Sequence, residues 1–378
     1  MLRGNVGLVI DLGNSETRVY VLYGGKKASF TLSNRFYELN KDYVVPEDYL
    51  DGNTNIFSVE GLSRVTYGEL VNREFSAVSM RPSALDKKYS SIVSKLSLNY
   101  SIFTAYQYLS KAYNKKIDEI DVEFNVTILL PPSDIDYGAP LIADMIKDIK
   151  EINFEIPEIS KKVKIGNIRV LPEGFCAYIG VLMKSGLKIR ENQGYLVGAT
   201  TLVIDIGAGT TDFCIIKDNK VIEDTRDSFE IGGNNISQRV RKRLKQEGLS
   251  YPDYIIQEAI QSGYVMDGAK QLDISNMIEE VKETVASNII NEIQSFFEAT
   301  QYPVRSIEYL LVCGGGTIEP ERDEMSALST YLVKYMKKLS SNIALVKMPK
   351  IKVGDKEKEV SPRRLNIMGA TVLTESTK

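Results

Sequence analysis

The chain repeats one of its own segments. The stretch LVIDLGNSETRV at residues 8–19 recurs as LVIDIGAGTTDF at residues 202–213, a constant offset of 194 with six of the twelve positions identical. The same offset sets the turn Gly24, Gly25, Lys26 opposite Asp218, Asn219, Lys220, each between short β-rich runs. Both halves therefore start with the same strand–turn–strand hairpin. A chain of 378 residues also exceeds the usual size of one compact domain, so two related domains are expected.

Each copy reads as a buried strand that ends in an aspartate, then a glycine-containing tight turn, then a second strand. Gly13, Gly207 and Gly209 let backbone N–H groups approach an anion closely, and Ser15, Thr17, Thr210 and Thr211 add hydroxyl donors for phosphate oxygens. A carboxylate at the strand end, as in Asp11 and Asp205, suits a hydrated Mg²⁺, which takes one or two carboxylates beside water and phosphate. Two such turns facing each other would grip a triphosphate and its metal from both sides. One turn alone would read as an ordinary solvated hairpin; finding it twice after two near-identical apolar strands points to a phosphate clamp.

Composition removes competing chemistries. The chain contains no histidine, so Ser-His and Cys-His nucleophiles and His-ligated metals are excluded. The work must fall to carboxylates, hydroxyls, Lys/Arg and backbone amides. The 47 basic and 50 acidic side chains leave a net charge of −3, which argues against coating nucleic acid or an anionic membrane directly. Cys176, Cys214 and Cys313 lie far apart in apolar runs and read as core residues of a reducing compartment. No signal peptide and no apolar stretch near the ~20 residues of a membrane span is seen, so a cytoplasmic location is expected.

At this point the residues carry a family resemblance. DLGNSETR at residues 11–18 resembles the first phosphate loop of the actin superfamily, and DIGAGTTD at residues 205–212 resembles the second. NVTILLPPS at 125–133 with VLPEGFCAY at 170–178 resembles the connecting region, YLLVC and GGGTI at 309–318 the adenosine motif, and NIMGA at 366–370 the second connecting helix. The resemblance implies a duplicated actin-like ATPase fold: two RNase H-like α/β domains flanking a nucleotide cleft. It implies that Gly13, Asn14, Ser15, Thr17 and Arg18 of the first loop, and Gly207, Gly209, Thr210 and Thr211 of the second, bind phosphate. Arg18 stands where actin carries a phosphate-touching lysine, and the alternative is that it points out of the hairpin. Gly232 and Gly233 would pass near the nucleotide at a helix start, or simply serve a strand-to-helix turn. Gly314, Gly315, Gly316, Thr317 and Ile318 would meet adenosine, and Asp267 with Lys270 would hold ribose and base. Glu173 would orient the attacking water, Asp205 would serve both catalysis and metal, and Asp11 would complete the metal site.

The implied activity is hydrolysis of ATP or GTP with Mg²⁺, coupled to polymerisation of the chain with itself. The chain is similar to ParM-like bacterial actins that move plasmid or phage DNA through a DNA-binding adaptor, with no direct nucleic-acid or membrane contact. The alternatives are a cell-shape-type actin scaffold and a small-molecule kinase of the same fold. Domains are expected at residues 1–168, with an outer subdomain near 33–95, and at 169–364, with an outer part near 230–300; a C-terminal helix at about 365–378 should pack back on the first. Helices are expected at about 100–113 and 321–339 and a strand at 124–130. Val281, Val285, Ile289, Ile293 and Phe296 at helical spacing read as core, and the basic run 239–245 as a solvated helix face.

Overall fold

The computed structural model describes residues 1–13, 16–47, 54–59, 62–75, 78–80, 87–155, 158–317, 327–353 and 356–376. The chain divides into two compact units, one of residues 1–130, 134–172 and 373–378, the other of residues 131–133 and 173–372.

The first unit opens with β1 (Leu2–Leu12), β2 (Glu16–Tyr23) and β3 (Lys26–Ser33), an antiparallel meander. Next come β4 (Phe36–Glu38), β5 (Thr54–Val59), β6 (Leu62–Gly68), the short α1 (Glu69–Glu74) and α2 (Ile92–Tyr113). The unit continues through β7 (Ile120–Leu130), α3 (Ile135–Lys147), β8 (Glu151–Glu155), β9 (Glu158–Lys162) and β10 (Lys164–Pro172). The described strands pair in the order β10-β7-β1-β2-β3, with β7 parallel to both β1 and β10. From Val6 to Leu12 every described side chain of β1 is buried, as befits a central strand covered on both faces. Helix α2 starts well before the expected residue 100 because the Ser91 hydroxyl caps it, accepting from the Val93 amide (3.2 Å).

A second sheet runs β4-β6-β5-β8-β9. The outer region expected at 33–95 is thus completed by strands from residues 151–162, a partnership between distant segments that local periodicity does not reveal.

The second unit begins with α4 (Phe175–Leu182) and the small hairpin of β11 (Met183–Lys184) and β12 (Lys188–Ile189). Its main sheet uses β13 (Thr201–Ile206), β14 (Thr211–Lys217), β15 (Lys220–Val221) and β16 (Asp227–Phe229). Then follow α5 (Gly233–Gln246), α6 (Asp253–Ser262), β17 (Tyr264–Asp267), β18 (Lys270–Asp273) and α7 (Ser275–Thr300). The unit closes with β19 (Tyr309–Cys313), α8 (Ala327–Leu339), β20 (Ala344–Leu345), β21 (Lys350–Val353), β22 (Lys356–Glu359) and α9 (Leu365–Glu375). Residues 321–326 of the expected helix lie outside the described residues.

The described order β15-β14-β13-β19-β20 matches the first sheet strand for strand, again an antiparallel meander followed by parallel neighbours. The repeat holds to the residue: Leu8 pairs Val21 and Asp11 pairs Arg18, while Leu202 pairs Ile215 and Asp205 pairs Asp212. Even the distal turns agree, with positive φ at Gly24 and Gly25 (56° and 78°) and at Asp218 and Asn219 (51° and 59°), the left-handed pair that a two-residue type I′ hairpin needs.

Val281, Val285, Ile289 and Ile293 are buried on α7, and Phe296 is half-buried beside the fully buried Phe297. Helix α5 turns Ile236, Val240 and Leu244 inward and leaves Arg239, Lys242 and Lys245 to solvent, so its basic run is the expected solvated face. The three cysteines are free and buried. No helix among the described residues is long and apolar enough to cross a membrane.

Helix α9 is shared: residues up to Val372 group with the second unit and Leu373 onward with the first. In its last turn Glu375 pairs with Lys27 (2.8 Å), the Thr374 and Thr127 hydroxyls share a hydrogen bond (2.9 Å), and Arg169 donates to the Leu373 carbonyl (3.3 Å).

Candidate functional site

In both copies the turn after the first strand closes by the same bond. The Gly13 amide donates to the Glu16 carbonyl (3.0 Å) and the Gly207 amide to the Thr210 carbonyl (2.8 Å). Asn14, Ser15 and Ile318, all expected ligands, lie outside the described residues, as does the Thr317 side chain.

The second loop is held from behind. Its Gly207 and Ala208 carbonyls accept from the Gly233 and Asn234 amides at the start of α5 (3.0 and 2.7 Å). A Cβ on Gly232 would stand 2.8 Å from both carbonyl oxygens, and one on Gly316 would stand 2.8 Å from the Gly207 oxygen. These glycines are needed because backbone lies on backbone. The glycine pair at 232 and 233 therefore supports the second loop, its helix-start amides already committed to that loop. Asn235 finishes the turn by accepting from the Gly232 amide (2.7 Å). Among the described residues the N–H groups of Ala208, Gly209 and Thr210 meet no backbone acceptor. Three successive unpaired amides on a tight turn form an anion-binding concavity.

The hydroxyls divide. Thr17 and Thr211, equivalent under the repeat, are both fully buried: Thr17 donates to Asn34 Oδ1 (2.7 Å) and Thr211 to the Ile231 carbonyl (2.6 Å). Each of these two expected phosphate donors thus spends its hydroxyl on the hairpin's own support. Thr210 stays on the loop, half-buried, donating weakly to Asp212 Oδ2 (3.4 Å).

Arg18 does not point out of its hairpin. Its guanidinium folds back to Asp11 Oδ2 (3.3 Å) and Glu16 Oε2 (3.6 Å), because Asp11 and Arg18 are direct cross-strand partners on one face. In the second copy the partner of Asp205 is Asp212, so two buried carboxylates replace the ion pair. Sequence reading missed Asp212, although the register it set already puts the two side by side.

Around Asp205 the second unit gathers several predicted residues. Asn366, at the start of α9, donates Nδ2 to Asp205 Oδ2, while its Oδ1 accepts from the Gly174 amide (3.0 Å). Gly174 directly follows Glu173, and both carboxylates are about 95% buried. A Cβ on Gly314 would collide with Asp205 Oδ1 and the Ile206 carbonyl. Burial pushes the Cys313 thiol well up, helped by the charge of Asp205, a hydrogen bond to that carboxylate and the charge of Glu173. Cys214 is pushed up to about 12, mainly by burial and then by Asp205 and Asp212, with Arg226 opposing. Both thiols are thus protonated core groups between carboxylates.

Two signals went unseen in the sequence. Asn34 anchors the first loop: its Nδ2 donates to the Gly13 carbonyl, and its Oδ1 accepts from Thr17 and from Ser97 (3.0 Å). Asn366 was visible only as part of a helix motif.

Asp267 and Lys270 are the expected ribose pair. They flank the exposed turn of the β17–β18 hairpin as direct partners, a two-stranded sheet of its own. Gly315 is exposed beside Gly316. A cavity of about 1580 Å³ in the second unit, lined by Arg190, Gln193, Tyr195, Tyr309 and Lys347 among others, contains none of the expected site residues. No cluster of three metal-ligating side chains occurs among the described residues. One or two carboxylates beside unpaired amides suit Mg²⁺, which keeps water and phosphate in its shell.

The family model of the archaeal MreB-like actin homologue, C-terminal region, matches residues 203–322. The archaeal actin homolog Ta0583 superposes over 99% of this chain and 100% of its own at 18% identity, TM-score 0.70. The chain has the actin-like fold. The actin-like protein Alp7A matches at 17% identity and TM-score 0.70 over 99% of this chain and 97% of its own. The 15-stranded ParM filament structure from Clostridium botulinum matches at 15% identity and 0.65 over 98% and 99%. A sequence search among curated proteins returns no match. The duplicated sheets are the two halves of this actin-like fold, and residues 203–322 contain the loop from Asp205 to Asp212 and the glycines 314–316.

Proposed function

We propose that this chain is a filament-forming actin that binds ATP or GTP with Mg²⁺ and hydrolyses it. The observation that carries the reading is the second loop, where three unpaired amides follow a strand ending in buried Asp205, beside Asp212 and the Glu173 turn. Amides 208–210 and Thr210 would hold phosphate oxygens. Asp205 would hold the metal through its water, the part Asp11 would play at the first loop, and a cation would relieve the like charges of Asp205 and Asp212. The metal, when bound, neutralises phosphate charge. Glu173 would accept a hydrogen bond from a water and aim it at the terminal phosphate. Arg18 would leave Asp11 or stay on it according to whether phosphate offers a better partner.

Similar proteins support nucleotide binding and assembly: Ta0583 has been solved with ADP and Bacillus thuringiensis ParM with ATP, while the Clostridium ParM is itself a filament. We further propose that the chain drives segregation of plasmid or phage DNA, the role that the resemblance of its loops to ParM-like actins implies. The near-neutral charge leaves the DNA contact to an adaptor.

Purified chain with Mg²⁺ and ATP, GTP or a non-hydrolysable analogue should pellet above a critical concentration and disassemble as nucleotide is consumed, because a head-to-tail contact repeats without closing. A chain that stays small with every nucleotide and phosphorylates a small acceptor instead would establish the kinase alternative. Glu173→Gln should keep nucleotide affinity, slow phosphate release by roughly 10²-fold and lengthen polymer lifetime. Normal hydrolysis by that variant would leave Glu173 with a structural part at the start of α4 only.

A further inference from the structure

We infer that Asn366 is a positioning residue that locks the Asp205 carboxylate and the Glu173–Gly174 turn into one unit. The inference rests on the hydrolytic reading above for its functional part. Its structural part stands on two hydrogen bonds. One amide group donates Nδ2 to Asp205 Oδ2 and accepts the Gly174 N–H on Oδ1, at 3.0 Å. Only the carboxamide supplies a donor and an acceptor on one planar group, and the two partners fix which atom is which. An aspartate here would meet Asp205 with a like charge, and a leucine would leave the Gly174 amide and the carboxylate short of a partner in a site from which Asn366, 7% exposed, excludes water.

The consequence reaches both carboxylates. Gly174 has φ of +65° and caps α4, and its N–H shares a peptide plane with the Glu173 carbonyl, so holding that amide fixes the end of the Glu173 backbone. Asp205 ends β13 and is already crowded by Gly314. Asn366 therefore fixes the spacing between a metal-side carboxylate and the carboxylate proposed to aim water, without touching nucleotide itself.

Full-length chain bearing Asn366→Ala or the near-isosteric Asn366→Asp tests this in two ways. Hydrogen exchange at Gly174, read without nucleotide, should accelerate by roughly tenfold or more in Asn366→Ala, and also in Asp205→Ala, which removes the group that holds the carboxamide. With nucleotide, Asn366→Ala should lower turnover by roughly 10–100-fold with a much smaller change in nucleotide affinity. Asn366→Asp, which keeps the shape but replaces the Nδ2 donor with an acceptor facing Asp205, should lose turnover as Asn366→Ala does. If wild type hydrolyses no nucleotide, the hydrolytic reading fails and the exchange result alone decides the lock. Unchanged Gly174 exchange in Asn366→Ala overturns the lock, and wild-type turnover in both Asn366 variants overturns the positioning role.

Discussion

Asp205→Ala is expected to weaken Mg-nucleotide binding by roughly 10²- to 10³-fold, since truncating a buried charge that a cationic partner needs costs on the order of 2–5 kcal/mol. The chain should stay folded. Asp205 ends a strand at a loop, and its hydrogen bond to Asn366, one of those the fold loses with that from the Cys313 thiol, is worth about 1–3 kcal/mol. Asp11→Ala should act in the same direction but less steeply, because Arg18 then keeps only Glu16 and its freed charge compensates at the phosphate. Calorimetric titration with and without Mg²⁺ separates the routes. If the carboxylates work through metal, the difference between wild type and variants shrinks when Mg²⁺ is withheld. Wild-type affinity in Asp205→Ala would remove the phosphate-loop reading altogether.

What the sequence made legible was local. Strand, aspartate, turn and strand recur at one offset, and the structure repeats register, closing bond and distal turn at that same offset. The α7 core stripe was equally plain, because side chains spaced by three and four share a helix face. The inward hydroxyl bonds of Thr17 and Thr211 were legible too, because alternation along a strand separates them from Arg18 and Asp212: neighbours on a strand face opposite ways. Asp267 and Lys270 also fit a plain hairpin. An acid and a lysine three apart around a glycine are also what a two-residue hairpin turn contains.

The supports stayed hidden for another reason. Asn34 acts on a carbonyl 21 residues away, and Asn366 on a carboxylate 161 residues away. No spacing rule connects such pairs, because the contact exists only once the sheet and its helices have packed. Arg18 lies between these cases. Its position in the loop suggested a ligand, and only the register of the hairpin showed that Asp11 already holds it.

Gly369→Ala should be the most damaging conservative change in the second unit. Where α9 crosses α4, a Cβ at position 369 would overlap the Cys176 carbonyl and stand 2.7 Å from the Gly180 nitrogen. The facing residue is also glycine, and a Cβ on Gly180 would sit 2.5 Å from the Leu365 carbonyl. All of these neighbours are backbone, so no rotamer change can make room and one helix must move. Overpacking a tight contact costs about 1–3 kcal/mol where side chains can yield, so a rigid backbone clash should exceed roughly 3 kcal/mol. For a unit of this size that lowers Tm by roughly 6–12 °C. The same movement should disturb chemistry, because α4 begins beside Glu173 and α9 begins with Leu365 and Asn366. Surviving Gly369→Ala protein should therefore lose turnover beyond its loss of folded fraction. Gly194→Ala is the control: nothing lies within 4 Å of its Cβ position and its φ is not positive, so Tm should hold. A Gly369→Ala chain melting within about 2 °C of wild type would show that the two helices are not locked at this crossing.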